Sequence, residues 1–206
     1  MTCLHLKFMG LIRVKKFFFL LLLFSFFSSY SFAIESILSD ELNYVIIDPG
    51  HGGEDPGAIG INNIQEKDET LNFSIMLKSE IENISDHNVK LTREQDEDIK
   101  RDYKSNLDNM ALVFLIHTGS NRDENIHGAS VTVNPKLISG EKIKESFLSN
   151  GVNINVIEKE NRNINYVLLE IGYITNKDDV ALLNNKIYLE NIAKSISEIA
   201  SKIIKK

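Results

Sequence analysis

Sulfur ligands are almost absent from this chain of 206 residues, because its single cysteine is Cys3. After the first 33 residues there is no cysteine, so neither a disulfide nor a thiolate zinc site can form there. Any metal ion must therefore be bound by histidine, aspartate or glutamate. Cys3 also precedes the most apolar segment of the chain, so it cannot be the lipid-bearing first residue of a mature lipoprotein.

The sequence also lacks an apolar run that is long enough to span a bilayer. Its most apolar segment, Phe17–Phe27, has 11 residues, whereas a spanning helix needs about 20. A basic segment without acidic residues precedes it, and the small residues Ser31 and Ala33 follow it. This order is typical of a secretory signal peptide over residues 1–33, and an uncleaved membrane anchor is the alternative. Cleavage would leave one domain, residues 34–206, in the periplasm or secreted.

Positive charge is scarce as well. The chain has 23 lysines and arginines against 29 acidic residues, and four of the basic residues lie within residues 1–33. The remaining 19 basic and 29 acidic residues give a net charge of −10. Such a chain has no electrostatic attraction for nucleic acid or for an anionic membrane surface. We therefore expect recognition through a specific site, with no nucleic-acid partner and no stable membrane insertion after signal cleavage.

Strand-like apolar runs alternate with helical patterns after residue 33, without a repeat or a low-complexity linker. The runs are Tyr44–Ile47, Val89–Thr92, Leu112–Ile116, Ala129–Val133, Ile154–Ile157 and Tyr166–Ile171. Helical patterns cover residues 73–84, 141–149 and 189–203, with a weaker one over 98–110. This alternation predicts an α/β fold with a mostly parallel, about six-stranded sheet and helices on both faces.

Four residues are the best candidates for chemistry. His51 lies in the loop DPGHGG after the first run, His117 follows the third run, and Glu170 lies at the end of the strand segment YVLLE (166–170) in the last run. Loops at the carboxyl ends of parallel strands form the active-site crevice of an open α/β sheet. Glu66 lies at the start of the first helix, 15 residues after His51. The alternative for the loop is a glycine-rich turn that carries an incidental surface histidine.

Two histidines and one carboxylate match the ligand set of a catalytic zinc site, which leaves a fourth position for water. A second carboxylate is then needed to move a proton, and Glu170, after an apolar strand, fits that need. The alternative is that Glu170 is a buried structural carboxylate paired with a base such as Arg93. Iron or manganese would also suit such a ligand set.

Six sequence blocks carry a resemblance to a known family. They are VIIDPGHGGEDPGAIG (45–60), IQEKDETLNFS (64–74), VKLTRE (89–94), VFLIHTGSN (113–121), GASVTV (128–133) and VLLEIGYITNKDDVALL (167–183). In this order they resemble the zinc-dependent N-acetylmuramoyl-L-alanine amidases of the type 3 family, which hydrolyse bacterial peptidoglycan. The resemblance implies one zinc ion bound by His51, Glu66 and His117, with Glu170 as the catalytic glutamate.

The resemblance also implies a fold, a reaction and partners. The family fold is a three-layer α/β/α sandwich. The reaction is water attack on the amide that joins N-acetylmuramic acid to L-alanine, which serves cell-wall remodelling and daughter-cell separation. Peptidoglycan is the expected partner, and family members often depend on a LytM-like activator.

The chain departs from the family pattern around its second histidine. Leu115 stands where the family usually has serine, and Thr118 to Asn121 replace a small residue followed by Asn or Asp. We expect metal binding to survive and substrate contacts to change. The segment between Val133 and Tyr166 is too short for the large lid of some members, so we expect an open site.

Three other residues and two rival functions remain. His87 is expected to be a solvated loop residue, His127 is a reserve ligand, and Arg93 is expected to pair with a site carboxylate or with substrate.

A zinc peptidase that cleaves the stem peptide would use the same metal and base. A catalytically silent wall-binding protein would keep the fold but lose a ligand or the base.

Overall fold

A six-stranded sheet lies at the centre of the fold. The computed structural model describes residues 44–98, 111–160 and 165–204. The strands are β1 (Tyr44–Pro49), β2 (Asn88–Leu91), β3 (Ala111–Gly119), β4 (Ser130–Val133), β5 (Asn155–Glu158) and β6 (Tyr166–Tyr173). The helices in this part are α1 (Glu66–Ile84), α2 (Gly140–Ser149), α3 (Lys177–Leu183) and α4 (Lys186–Ile203), with a 3-10 turn at Ile61–Asn63. The expected signal peptide and the helical pattern after residue 98 lie outside the described residues.

The strand order is β2-β1-β3-β6-β4-β5. All neighbouring strands run parallel except β4 and β6, which are antiparallel. The central strands β1 and β3 are apolar on successive residues, because both faces of a parallel sheet are covered. The predicted α/β fold class, with a mostly parallel sheet of about six strands, is confirmed.

Two strands extend further than their apolar runs. Strand β3 continues to Gly119, so His117 lies within it and does not follow it. Strand β6 continues to Tyr173, so Glu170 lies within it and not at its end. The two strands stay paired past their apolar residues. His117 is the register partner of Glu170, and after a shift in register Gly119 is the partner of Tyr173. The extension places both side chains on neighbouring strands at the carboxyl end of the sheet.

The helices pack their apolar stripes into one large core. Helix α1 contributes Phe73, Leu77 and Ile81, and α4 contributes buried residues at helical spacing, including Ile192 and Ile196. The stripe predicted for the last helix is therefore confirmed. No helix within the described ranges is both long and apolar enough to cross a membrane.

Helix α3 was not predicted from the sequence. Its start is fixed by Asn176, whose side chain accepts hydrogen bonds from the backbone N–H groups of Asp178 and Asp179. An asparagine followed by two acidic residues is a start signal that could have revealed the helix. The buried Asp179 carboxylate also accepts from the N–H groups of Gly128 and Tyr173, so α3 is tied to the end of β6.

Candidate metal centre

The loop after β1 holds His51 in an unusual backbone conformation. His51 has a φ of 63°, in the left-handed region, which costs free energy for a non-glycine residue. The backbone N–H of Gly50 donates to the carbonyl of Ile116 at 2.8 Å, and Gly52 and Asp55 exchange two backbone hydrogen bonds. These bonds determine the path of the chain on both sides of the imidazole. The side chain of His51 keeps 26% exposure.

Arg93 fastens this loop to helix α1 from inside. Its side chain is 2% exposed, and it donates to the carbonyls of Pro49 at 3.3 Å, Gly50 at 3.2 Å and Lys67 at 2.7 Å. Burial lowers the pKa of the guanidinium, and nearby acidic residues oppose that effect. The expectation that Arg93 pairs with a site carboxylate is wrong, because its hydrogen bonds within the described residues go to loop and helix oxygens. Its pairing with substrate stays a prediction.

A second segment fastens the loop from outside. Asp96 accepts from the backbone N–H of Gly53 at 2.8 Å and from the ammonium of Lys67 at 2.7 Å. The hydrogen bond from Lys67, together with that from Gly53, lowers the pKa of the Asp96 carboxyl. Asp98 accepts from the N–H of Glu54 at 3.1 Å. The loop that carries His51 is therefore held on both sides, and its imidazole has a defined position.

Glu66 is the first residue of α1, and its buried carboxylate lies between the two histidines. One oxygen, Oε1, is 3.0 Å from Nδ1 of His117 and accepts from the N–H of Thr118 at 3.0 Å. The other oxygen, Oε2, is 3.2 Å from Nε2 of His51 and accepts from the N–H of Ala58 at 3.1 Å. Each oxygen therefore contacts one imidazole and one backbone N–H group.

The structure brings the three predicted metal ligands together. One ligand atom from each of His51, Glu66 and His117 lies within 4.8 Å of the others. The two imidazole rings meet edge to face, with centroids 5.3 Å apart. Zinc bond lengths of about 2.0–2.1 Å place tetrahedral ligand atoms about 3.3 Å apart. The nitrogen–oxygen distances of 3.0 and 3.2 Å to Glu66 match that spacing, so the residues fit a zinc ion.

Glu170 lies beside this group on β6. Its register partners are His117 on β3 and Ser130 on β4, and neighbouring strands lie about 4.8 Å apart. The half-buried carboxylate accepts from the hydroxyl of Ser130 at 2.7 Å through Oε2. Within the described residues this hydrogen bond, and none from Arg93, fixes the carboxylate. The pairing with Arg93 that we considered for Glu170 is therefore wrong.

The remaining histidines are outside the group. Among the described residues, the only group that could hold a metal contains neither His87 nor His127. His127 is exposed in the loop before β4, and His87 is half-buried in the loop before β2. The side chain of His117 is 35% exposed and that of His51 is 26% exposed, so solvent reaches both candidate ligands.

Sequence reasoning missed three residues in and around the candidate site. Asp55 contacts His51 at 2.8 Å, and an acidic residue four positions after a candidate ligand was a signal that could have been used. Ser130 could not be found in this way, because it meets Glu170 only through the antiparallel pairing of β4 with β6. Tyr173 packs its ring over Gly119, where an added Cβ would lie 2.8 Å from ring atoms. Burial raises the pKa of the Tyr173 phenol, and the charge of Glu170 adds to that effect.

Acid is expected to remove one contribution to stability at this centre. Burial raises the pKa of Glu66, but hydrogen bonds from His117, Thr118 and Ala58 outweigh burial and leave it below the ordinary 4.5. Since the folded-state pKa is the lower one, ionised Glu66 stabilises the fold above about pH 4.5, and this contribution is lost as the pH falls through the folded value. Urea unfolding of the metal-free protein and of Glu66→Gln, between about pH 6 and pH 3, measures it. The difference in unfolding free energy should shrink with acid, and a constant difference would contradict the prediction.

A family model described as N-acetylmuramoyl-L-alanine amidase matches residues 45–202, which include all four candidate residues. The chain belongs to the N-acetylmuramoyl-L-alanine amidase family. The matched range begins in β1 and ends in α4, so it covers the sheet and the helices together.

Proteins with an amidase name are similar to parts of the chain. Two from Buchnera aphidicola carry a provisional N-acetylmuramoyl-L-alanine amidase name. The one from the Schizaphis graminum subspecies is 37% identical over 92 residues, 43% of this chain and 39% of the relative. The one from the Acyrthosiphon pisum subspecies is 34% identical over 131 residues, 58% of this chain and 54% of the relative. The chain thus spans about half or less of the length of these relatives.

A solved amidase has the same fold. The N-acetylmuramoyl-L-alanine amidase AmiC2 of Nostoc punctiforme superposes with a TM-score of 0.68 at 24% identity, over 79% of this chain and 97% of that chain. This likeness supports the α/β sandwich expected of the family.

The departures from the family pattern have structural explanations. Leu115, where the amidase family usually has serine, packs with Ile46 and Val113 in a small second core on the sheet. The buried Thr118 still offers its backbone N–H to Glu66. The loop that follows is attached to the end of β6, because the N–H of Asn121 donates to the hydroxyl of Thr175. The substitutions therefore leave the arrangement of the candidate ligands intact.

Proposed function

We propose that this chain is a zinc-dependent N-acetylmuramoyl-L-alanine amidase that hydrolyses the amide between N-acetylmuramic acid and L-alanine in peptidoglycan. His51, Glu66 and His117 would bind the ion, and Glu170 would be the catalytic acid/base. The observation that carries this proposal is that the Glu66 carboxylate contacts the imidazoles of both His51 and His117. His117 is also the register partner of Glu170.

The type of reaction and the family favour zinc over iron and manganese. Two imidazoles and one carboxylate also suit iron or manganese, but hydrolysis needs no redox change, and the family is generally zinc-dependent. Three protein ligands leave a position for water or substrate, as in catalytic zinc sites. When bound, the ion supplies Lewis acidity that polarises the scissile carbonyl and makes water more acidic.

Glu170 would carry the proton during the reaction. Glu170 is the register partner of His117, and from there its carboxylate would take the proton of the attacking water and deliver it to the leaving nitrogen of L-alanine. The hydroxyl of Ser130 donates to Oε2 at 2.7 Å and so orients this carboxylate. The rest of the site contributes rigidity: the bonds of Arg93 and Asp96 to the His51 loop fix a ligand before substrate arrives.

Export and regulation are part of the proposal. Residues 1–33 have the composition of a signal peptide, which would place the domain of residues 34–206 in the periplasm or outside the cell, where its substrate lies. A role in daughter-cell separation and control by a LytM-like activator follow from the family resemblance alone. The exposure of the two imidazoles supports an open site without a large lid.

The purified protein should release intact stem peptides from peptidoglycan. We expect mass spectrometry to find free peptides that begin with L-alanine, in amounts that fall to background when a chelator removes the metal and recover when zinc is returned. Manganese and iron added to the stripped protein test the identity of the metal.

Other products would change the proposal. Shortened stems that stay attached to the glycan would identify a peptidase with the same metal site. Stoichiometric zinc binding without any release, also in the presence of a LytM-like activator, would identify a silent wall-binding protein.

A further inference from the structure

Asp55 contacts the side of His51 that points away from Glu66. Its Oδ2 lies 2.8 Å from Nδ1 of His51, while Nε2 of the same ring lies 3.2 Å from Glu66. The other Asp55 oxygen accepts from the backbone N–H of Gly57 at 3.0 Å. Each nitrogen of this imidazole thus meets a different carboxylate, and only one of these carboxylates belongs to the candidate ligand set.

The loop is shaped to bring this carboxylate back to the ring. The two backbone hydrogen bonds between Gly52 and Asp55, at 2.9 and 3.0 Å, close a tight turn directly after His51. Gly57 then passes the ring so closely that an added Cβ would lie 2.6 Å from Cδ2 of His51. The ring is therefore confined between Gly57 and Asp55.

We propose that Asp55 is a positioning residue that keeps the proton of His51 on Nδ1, so that the lone pair of Nε2 faces the metal. The proposal rests on the metal-dependent function proposed above. An ionised carboxylate can only accept hydrogen bonds, so when Nε2 of His51 binds the metal, a hydrogen on Nδ1 is the donor that Asp55 accepts from. A neutral imidazole with hydrogen on Nδ1 has its lone pair on Nε2, the nitrogen next to Glu66. The carboxylate also makes the imidazole a stronger electron donor.

The two candidate histidine ligands differ in this respect. Nδ1 of His117 contacts Glu66 at 3.0 Å, and within the described residues no carboxylate contacts its second nitrogen. Only His51 has a second carboxylate. The inference therefore assigns to Asp55 an effect on one ligand, and it predicts that zinc affinity depends on a residue that does not bind zinc.

Zinc affinity measured by competition with a chromophoric chelator tests the inference in the full chain. We expect Asp55→Ala to weaken zinc binding by about 10- to 100-fold, the usual effect of removing a carboxylate behind a ligand histidine. Asp55→Asn should weaken it less, because the amide oxygen can still accept from Nδ1 of His51. Glu54→Ala removes the same charge from the neighbouring exposed position. It should change the zinc affinity by less than about twofold, because solvent screens an exposed charge.

The hydrogen on Nδ1 provides a second readout. In the zinc-loaded protein, the ¹H–¹⁵N spectrum of the histidine rings should contain a slowly exchanging Nδ1–H signal from His51, and this signal should be lost in Asp55→Ala. Wild-type affinity in Asp55→Ala, or an equal loss in Glu54→Ala, would overturn the inference. If Asp55→Ala does not fold, as judged by circular dichroism, the absence of an Nδ1–H signal from His51 in the zinc-loaded wild type would overturn the inference as well. Failure of wild type to bind zinc would instead refute the proposed function.

Discussion

Glu170→Gln is expected to lower the kcat of peptidoglycan hydrolysis by about 10²- to 10⁴-fold, which is the usual contribution of a general acid/base. Glutamine has nearly the same shape and keeps an oxygen that can accept from the Ser130 hydroxyl, which now donates to the carboxylate at 2.7 Å. It cannot take a proton from water. The proton would then have to be transferred without the protein's help, while the ligand set of His51, Glu66 and His117 stays complete.

The decisive comparison is between kcat and metal content. Kinetics of stem-peptide release should show the loss in kcat, and elemental analysis should find one zinc per chain in both Glu170→Gln and wild type. Glu145→Gln makes the same chemical change at an exposed position of α2, a helix that contributes no residue to the site, and should retain wild-type activity. Wild-type kcat in Glu170→Gln would remove this residue from the mechanism.

Gly50→Ala is expected to weaken zinc binding strongly, because the added methyl group would collide with the imidazole of His117. A Cβ at this position would lie 2.4–2.8 Å from three atoms of the His117 ring, too close for any real contact. The backbone cannot retreat easily, because the N–H of Gly50 donates to Ile116 and its carbonyl accepts from Thr70 and Arg93. The imidazole must therefore move away from Glu66. We expect a loss in zinc affinity above about 100-fold, beyond the effect of changing a residue behind a ligand.

A glycine outside the site supplies the control. Gly151 has a φ of 74°, and nothing lies within 4 Å of an added Cβ there. Gly151→Ala should therefore lower the unfolding free energy through backbone strain, of the order of 1 kcal/mol, and leave zinc affinity unchanged. Isothermal titration with zinc and urea unfolding of both variants separate the two effects. Tight zinc binding by Gly50→Ala would mean that His117 is not a ligand.

The sequence predicted the strands well because their apolar runs are continuous, but it did not predict where pairing stops. His117 was expected to follow its strand, whereas β3 runs on through His117 to Gly119. The pairing is maintained there by the neighbouring strand β6, whose Glu170 is the register partner of His117. The residues around His117 do not indicate that Glu170 will pair with it, since the two are far apart in the chain.

The candidate ligands could be predicted because the residue types that bind zinc are few, whereas their supporting contacts could not. Arg93 was expected to reach a carboxylate, yet it binds carbonyl oxygens of Pro49, Gly50 and Lys67. Backbone carbonyls occur at every position, so no sequence pattern indicates which of them a buried arginine will meet. Ser130 is a similar case, since its contact with Glu170 depends on the antiparallel placement of β4.

The order of the strands has a consequence for the way in which the protein would acquire the proposed zinc ion. His51, His117 and Glu170 approach one another only when β1, β3 and β6 are side by side, and each of these pairings joins distant parts of the chain. An unfolded chain would therefore have no assembled site, and zinc would bind the native state alone. At a zinc concentration of about 100 times the dissociation constant, such selective binding stabilises the native state by about 2.7 kcal/mol. If the chain crosses a membrane unfolded, it would cross without zinc. Zinc bound on the far side would then serve as the cofactor and would also shift the folding equilibrium toward the native state.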